Sequence, residues 1–202
     1  MCQQFFLLRH GEVDAQDVLL GQKLDPSLSA EGRKAIEKWM PILQKVPFQA
    51  IITSPARRSR ETAELLAPAG VPILQLPHFH EVSWGKWEGL PHEEARPLLH
   101  QQAERWAEGD MDWAPPEGES LRSIFTRIEE GLRFVSTLYP VGSVLIVTHG
   151  QLLRLLLAHV LGYPFSEQKR FYHKRGELSW LVRLPAGFFY AKALAVNADT
   201  AF

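Results

Sequence analysis

Short runs of consecutive apolar residues alternate along the chain with longer segments in which apolar residues recur every three or four positions. Runs of strand length occur at residues 5–8, 48–53, 71–76 and 144–147, and a closing pair occurs at residues 175–182 and 188–196. Uninterrupted apolar runs are typical of parallel strands that are covered on both faces. The pattern therefore predicts an α/β fold with a mostly parallel, buried sheet.

The segments between these runs predict helices. Ser29 and Ser120 are favoured N-cap residues, and Ser54 is expected to cap a third helix with Pro55 in its first turn. Pro41 is expected to kink or end the helix that starts after Ser29. The helix after Ser120 has the clearest apolar stripe, formed by Leu121, Ile124, Phe125, Ile128, Leu132, Val135 and Leu138.

One long segment, residues 92–113, is charged with scattered apolar positions. It is too polar for a core element, so we expect it to be helical in pieces and to cover the strand ends as an excursion at about residues 90–115. No internal repeat, low-complexity segment or linker is present. Residues 1–202 are therefore predicted to form one domain.

Two of the apolar runs end in a histidine followed by a glycine. The first continues into Arg9, His10 and Gly11, and the fourth continues into His149 and Gly150. Ligand sites of α/β sheets lie beyond the carboxyl ends of the strands, so adjacent strands would bring the two imidazoles to one crevice. An imidazole beside a guanidinium is a candidate nucleophile, because the positive charge disfavours its protonated form. The alternative is a strand end with a surface Arg–His pair.

Two further groups could serve an anion site. Arg57, Arg58 and Arg60 cluster near a predicted helix N-terminus, where free N–H groups and the helix dipole favour an anion. Neighbours on a helix are about 100° apart, so they cannot all point to a common site. Glu81 and Glu88 flank two tryptophans, which could desolvate a carboxylate as general-acid work requires. Spacing alone does not choose between the two glutamates.

Composition narrows the class of protein. Among 202 residues, Lys and Arg total 22 against 23 Asp and Glu, and this balance disfavours a dedicated nucleic-acid binder. Cys2 is the only cysteine, which fits a reducing compartment. No secretory leader pattern or membrane-length apolar run is present, so we expect a cytoplasmic protein. His78 and His80 alternate, but no nearby cluster completes a metal site, and neither a metal nor a cofactor is predicted.

Several motifs in order resemble the histidine phosphatase superfamily, also called the phosphoglycerate mutase-like family. They span nearly the whole chain, and they are residues 8–12, 28–33, 53–63, Glu81 with 85–89, 118–120 and 147–150. The resemblance implies a three-layer α/β/α sandwich around a mostly parallel sheet. It also implies a phosphomonoesterase that hydrolyses a small phosphorylated metabolite through a phosphohistidine.

The resemblance assigns roles residue by residue. His10 is the expected nucleophile, and Glu81 rather than Glu88 is the expected proton donor. Arg9 and Arg58 are expected to hold the phosphoryl oxygens, and His149 to hydrogen-bond the transferring group. The positions predicted to bind substrate are Gln16, Gln22 and Gly150.

The chain departs from the family pattern at two positions near the nucleophile. Val13 stands where a threonine is frequent, and Gln16 stands where an asparagine is frequent. Mutases of the family usually carry an arginine directly after the acid, whereas Val82 and Ser83 follow Glu81 here. Hydrolysis is therefore favoured over phosphoglycerate mutase-type transfer.

Three segments, residues 46–48, 81–87 and 171–196, resemble the α-ribazole-5'-phosphate phosphatases of cobalamin assembly. This looser likeness makes α-ribazole 5'-phosphate the first candidate substrate. A non-catalytic phosphate-binding module and a metal-dependent hydrolase are the rival classes. The sequence leaves the oligomeric state open.

Overall fold

A six-stranded sheet forms the centre of the molecule in the computed structural model, which describes residues 2–15, 17–185 and 187–200. The strands are β1 (Gln3–Arg9), β2 (Phe48–Thr53), β3 (Ile73–Gln75), β4 (Gly142–Thr148), β5 (Leu178–Arg183) and β6 (Phe189–Val196). They lie in the order β3-β2-β4-β1-β5-β6. The pairs from β3 to β1 are parallel, whereas β5 runs antiparallel to both β1 and β6. The predicted mostly parallel sheet is confirmed.

Six α-helices accompany the sheet within the described part of the chain. They are α1 (Ala30–Glu37), α2 (Met40–Leu43), α3 (Arg57–Leu66), α4 (His92–Ala107), α5 (Leu121–Leu138) and α6 (Gly150–Val160). Three 3-10 turns occupy Pro77–Phe79, Gly85–Trp87 and Phe165–Phe171. None of the helices in the described ranges is long and apolar enough to cross a membrane.

The alternating side chains of β1 separate two apolar layers. Phe5 and Leu7 belong to a core that includes the buried faces of α5 and α6. Phe6 and Leu8 belong to a second core with residues of α1 and α3, including Ile36. Because both faces of the strand are buried, the run 5–8 contains no polar residue. The α/β/α sandwich expected from the resemblance is present.

The helix boundaries differ from the predicted ones at three places. α1 begins after the Ser29 cap as predicted but ends at Glu37, and Pro41 lies in the first turn of α2. Ser54 does not cap α3: Ala56 is the N-cap residue, and the Ser54 hydroxyl accepts a hydrogen bond from its backbone N–H at 3.1 Å. That hydroxyl also contacts His149, which follows β4, instead of a backbone N–H inside the first turn of α3.

The segment at 92–113 was expected to be helical in pieces and too polar for a core, and both expectations are wrong. α4 is one continuous helix of 16 residues, with Pro97 near its N-terminal end. Pro97 lies in the second turn, so the helix continues through it although the missing N–H leaves one intrahelical hydrogen bond unmade. Ala95 and Trp106 are buried in the same core as α5 and α6. The remaining faces of α4 line a cavity at the strand ends.

The first turn of α1 packs directly on the backbone after His10. A Cβ added at Gly32 would collide with the carbonyl oxygen of Glu12 and would lie 2.8 Å from the Glu12 nitrogen. Only a glycine allows this approach, which fixes the path of the chain as it leaves β1.

We therefore expect Gly32→Ala to lower the free energy of unfolding by about 1–3 kcal/mol through overpacking. Helix propensity alone predicts the opposite sign, a gain of about 1 kcal/mol. Urea unfolding followed by far-UV circular dichroism measures the difference. Lys34→Ala, an exposed change on the same helix, is the control, and a stabilised Gly32→Ala protein would contradict the packing argument.

Candidate active site

The parallel pairing of β1 with β4 brings the two strand-end histidines together. Arg9 is in register with Thr148, so His10 and His149 follow at the same edge of the sheet. Their ring centroids are 5.2 Å apart, with the planes at 63°. The two imidazoles are thus adjacent, but only His10 lines the cavity described below, and His149 is fully buried.

The hydrogen bond of His10 determines which ring nitrogen is free. Nδ1 lies 2.7 Å from the Gly11 carbonyl oxygen, which can only accept, so Nδ1 carries the proton. Nε2 of the neutral ring is then an unprotonated lone pair. Burial, followed by the charges of Arg58 and Arg9, holds the pKa of His10 well below its usual value. The imidazole is therefore in the form that a nucleophile requires.

Of the three clustered arginines, Arg58 is the one at the site. It is 1% exposed, and its Nη1 and Nη2 donate to the carbonyl oxygens of Leu24 and Gly21 at 3.0 and 2.9 Å. Arg57 instead forms an ion pair with Glu61 at 2.8 Å. Nε of Arg60 donates to the backbone carbonyl oxygen of Pro55, just before α3. Burial lowers the pKa of Arg58, partly opposed by the charge of Glu81.

His149 uses both ring nitrogens inside the protein. Its Nδ1 accepts from Nε of Arg58 at 3.2 Å, so Nε2 carries the proton and donates to the Ser54 hydroxyl at 2.7 Å. Burial, then the charge of Arg58, holds the pKa of His149 well below its usual value. As placed, His149 orients Arg58, and its direct contact with a transferring group stays a prediction.

Glu81 lies at the N-terminus of α6. Its Oε1 accepts from the backbone N–H of Leu152 at 2.9 Å, and its Oε2 accepts from that of Gln151 at 3.2 Å. Free N–H groups and the helix dipole favour a carboxylate there. Glu88 is not at the cavity, because it accepts from the N–H groups of Lys23 and Trp84. The structure thus places Glu81, and not Glu88, beside His10.

Arg9 and Gly150 meet at the floor of the cavity. Nη1 of Arg9 donates to the His173 carbonyl oxygen at 2.6 Å, while its buried Nε has no partner among the described residues. A Cβ on Gly150 would lie 2.7 Å from Cζ of Arg9. Glycine at this position therefore lets the guanidinium lie against the first turn of α6.

Gln22, another predicted substrate ligand, is not among the described residues that line the cavity. Nε2 of Gln22 donates to the Glu81 carbonyl oxygen at 2.8 Å and to the Glu119 carboxylate at 3.2 Å. The position of Gln22 thus supports the backbone of the acid, and its contact with substrate stays a prediction. Gln16 lies outside the described residues.

One supporting ion pair was not singled out from the sequence. Arg127 pairs with Glu119 at 2.7 Å and also donates to the carbonyl oxygens of His78, His80 and Glu81. It therefore fixes the segment that carries the acid. Glu119 lies in the motif at residues 118–120 that the sequence analysis used. Arg127 lies in a predicted helix, and no residue near it in the sequence indicates its role.

His80 lies behind the acid, outside the set of residues that line the cavity. Its ring stacks on His149 with centroids 5.8 Å apart, and its Nδ1 accepts from the Glu81 backbone N–H at 3.0 Å. Burial, then Arg58, lowers the pKa of His80. No group of three or more candidate metal ligands occurs among residues 2–15, 17–185 and 187–200.

Part of this set of residues lines a cavity of about 370 Å³, whereas His80 and His149 are not among the lining residues. Its floor contains Arg9, His10, Arg58, Glu81 and Gly150. Its walls include an apolar set, namely Val18, Leu19, Leu20, Trp84, Leu99, Trp106 and Phe165. The cavity therefore combines a cationic floor suited to a small anion with walls suited to an apolar body.

Comparison with known proteins agrees with this geometry. The family model of the histidine phosphatase superfamily (branch 1) matches residues 5–193. The adenosylcobalamin/alpha-ribazole phosphatase of Salmonella typhimurium (strain LT2) is 30% identical over 200 residues, covering 96% of this chain and 97% of that protein. A probable phosphoglycerate mutase GpmB of Yersinia enterocolitica is 33% identical over 174 residues, covering 83% of this chain and 79% of that protein.

A solved structure shows the same fold. The alpha-ribazole phosphatase from Shigella flexneri matches with a TM-score of 0.80 and 26% identity, over 96% of each chain. The resemblance noted from the motifs is thereby confirmed.

The buried histidines predict how stability depends on pH. The pKa values of His10, His80, His149 and His173 are all lowered, mainly by burial. Below about pH 6.5 the unfolded chain binds protons that the folded chain does not, so the free energy of unfolding falls as the pH falls. Each such histidine lowers the free energy of unfolding by about 1 kcal/mol for every unit by which the pH falls in that range.

We expect His10→Gln to flatten the fall in unfolding free energy between pH 6.5 and 5 by about that amount. Urea unfolding at a series of pH values measures the slope. His100→Gln, at an exposed histidine, should leave the slope unchanged. Equal slopes in the wild type and His10→Gln would contradict the assignment of a neutral, buried His10.

Proposed function

The chain belongs to the histidine phosphatase superfamily and is a phosphatase of phosphate monoesters, and from this premise we propose that it acts through a phosphohistidine at His10. One observation carries the proposal. The unprotonated Nε2 of His10 shares a cavity with two guanidiniums, Arg9 and Arg58, and with the carboxylate of Glu81. Nucleophile, charge clamp and proton carrier are thus assembled at one place.

In the first step Nε2 of His10 attacks phosphorus, the bond from phosphorus to the ester oxygen breaks, and the phosphoryl group passes to the ring. Arg9 and Arg58 neutralise the charge on its equatorial oxygens, which is the main requirement of phosphoryl transfer. Glu81, in its protonated form, gives a proton to the departing alkoxide.

In the second step water attacks the phosphohistidine. Glu81, now a carboxylate, takes a proton from that water, and phosphate leaves as the phosphorus–nitrogen bond breaks. His10 returns to its neutral form with Nδ1 still donating to Gly11. The same carboxyl group therefore serves as acid and then as base.

Hydrolysis is favoured over mutase-type transfer, although one relative is named a probable phosphoglycerate mutase. Mutases of the family usually carry an arginine directly after the acid. The positions after Glu81 supply no cation, since Val82 is buried and Ser83 donates its backbone N–H to Glu119 at 2.8 Å. A protein that only binds phosphate would not need the nucleophile and the acid that line the same cavity.

The apolar walls support a substrate whose leaving group has a flat, apolar body. Trp84, Trp106 and Phe165 face the same cavity as His10. α-Ribazole 5'-phosphate, the compound named for relatives and for a structural neighbour, is of this kind, and we propose it as a substrate. A small metabolite, rather than a nucleic acid, fits a cavity of about 370 Å³. The single cysteine supports a cytoplasmic location.

The proposal predicts that the protein hydrolyses 4-nitrophenyl phosphate and α-ribazole 5'-phosphate in the presence of EDTA. His10→Ala should lower kcat by about 1,000-fold or more, because the nucleophile is lost. Glu81→Gln should lower kcat for the alkyl ester by about 100-fold or more, and less for the aryl ester, whose leaving group needs less protonation. Release of inorganic phosphate provides the rate.

Glu88→Gln is the matched control, since Glu88 is a carboxylate of the same segment outside the cavity. It should retain activity within a few-fold of the wild type. Quenching with labelled ester should trap an acid-labile, base-stable phosphoprotein in the wild type and none in His10→Ala. Full activity of His10→Ala, or loss of wild-type activity in EDTA, would reject the mechanism.

A further inference from the structure

One side-chain amide at the cavity has an unpaired donor. Among the described glutamines, Gln102, Gln151 and Gln168 line the cavity. Nε2 of Gln151 donates to Oε1 of Gln168 at 2.8 Å, so these two amides are paired with each other. Nε2 of Gln102 is buried and has no hydrogen-bond partner within the described part of the chain. The mechanism above does not use this donor.

Gln102 lies on the face of α4 that borders the cavity. Leu99, three residues earlier, and Trp106, four residues later, line the same cavity, and side chains at these spacings share one helix face. The Gln102 residue is 2% exposed, so bulk water has little access to it. Its amide is therefore a neighbour of the apolar residues that are proposed to bind the body of the leaving group.

A buried donor of this kind can select between ligands of the same shape. A buried amide N–H without a partner is costly, whereas an apolar side chain of similar size at the same place is not. A bound ligand that offers an acceptor removes this cost, and a ligand without an acceptor leaves it. The last side-chain torsion of a glutamine is broad, so the nitrogen of Gln102 can turn toward a bound group while α4 stays in place.

We propose that Gln102 is a specificity-determining residue, which donates a hydrogen bond to an acceptor atom on the flat body of the leaving group. Neutral acceptors suit an apolar wall, so the acceptor is an unprotonated ring nitrogen or a carbonyl oxygen. This inference rests on the proposed function, since it places the ester phosphate at His10 and the leaving group against α4. It narrows the substrates to phosphate esters of flat heterocycles, a class that includes the benzimidazole riboside proposed above.

The test compares 1-naphthyl phosphate with three esters of the same shape, in which nitrogen replaces one ring C–H. These are quinolin-5-yl, isoquinolin-5-yl and isoquinolin-8-yl phosphate, assayed at neutral pH, where the ring nitrogen is unprotonated. The nitrogen occupies a different ring position in each ester, so the set samples the positions at which Gln102 could meet it.

For at least one nitrogen ester, we expect its kcat/KM relative to the naphthyl ester to fall by about 10-fold in Gln102→Met, the scale of one hydrogen bond. Hydrolysis of the naphthyl ester should change little, because methionine has a similar size and shape. The ratio is compared between proteins, so differences in leaving-group reactivity cancel.

Gln101→Met is the matched control, since Gln101 is the exposed neighbour on α4 and is not among the lining residues. It should keep the wild-type ratios. Unchanged ratios in Gln102→Met for all three nitrogen esters would overturn the proposal. Equal losses for all four esters would overturn it too, because Gln102 would then act on the phosphoryl group or on the fold.

Urea unfolding tests the premise that the amide is unpaired in the free protein. Gln102→Met should not lower the free energy of unfolding, because the change leaves no buried group without a partner. A large loss of stability would contradict the proposal, since the amide would then be bonded inside the protein.

A binding measurement separates this inference from the proposed function. Calorimetry with His10→Ala measures the affinity for the four esters without turnover. An affinity for one nitrogen ester, relative to the naphthyl ester, that falls in the His10→Ala, Gln102→Met double variant supports the hydrogen bond, even if the wild type hydrolyses none of them. The same relative affinities in both proteins would reject it, even if the wild type hydrolyses all four.

Discussion

The site depends on a buried guanidinium that contacts no carboxylate of the described residues directly. Arg58 donates only to neutral acceptors, namely Nδ1 of His149 and the carbonyl oxygens of Gly21 and Leu24. Neutral acceptors satisfy its N–H groups without cancelling its charge, so the field of Arg58 extends into the cavity. Burial first, and then that field, lowers the pKa of His10 and keeps the ring unprotonated, and the same field favours an anion. A carboxylate bound to Arg58 would have weakened both effects.

The same guanidinium also determines the arrangement of its neighbours. Because Nε of Arg58 is a donor, Nδ1 of His149 must accept, and the proton on Nε2 must point to an acceptor. Ser54 supplies that acceptor at 2.7 Å, which removes its side chain from the helix-capping role that its position suggests. A local preference of the chain is thus overridden by a contact across the sheet. The carbonyls that Arg58 needs likewise fix the loop at residues 21–24.

The periodic features of the fold could be predicted from the sequence because they are local. The apolar runs located β1, β2 and β4, and the Ser120 cap with its stripe located α5. The histidine and glycine that follow two of the strands indicated the crevice. Adjacent parallel strands end at the same edge of a sheet, and this rule applies without any knowledge of side-chain contacts. The choice of Arg58 and Glu81 needed the family motifs, since spacing alone left neighbouring arginines and Glu88 as alternatives.

What the sequence could not show are the contacts made between distant segments. Arg127 donates to the backbone of residues 78–81 from a helix that begins some forty residues later. The periodicity of the sequence does not predict such a contact. The continuity of α4 was missed for a similar reason: Ala95 and Trp106 are packed against distant elements, so a segment that looks polar along the chain has one buried side. Local polarity predicts exposure only where nothing from elsewhere covers the residue.

The lining of the cavity separates rate from selectivity. Arg9 and Arg58 lie beside His10, where charge develops during transfer, so their interaction with the phosphoryl group can be stronger in the transition state than in the ground state. The apolar lining residues Trp84, Trp106 and Phe165 offer no charge to the transferring group and can act only by binding the body of the leaving group. One cavity can thus keep the chemistry constant while its apolar lining sets the substrate range.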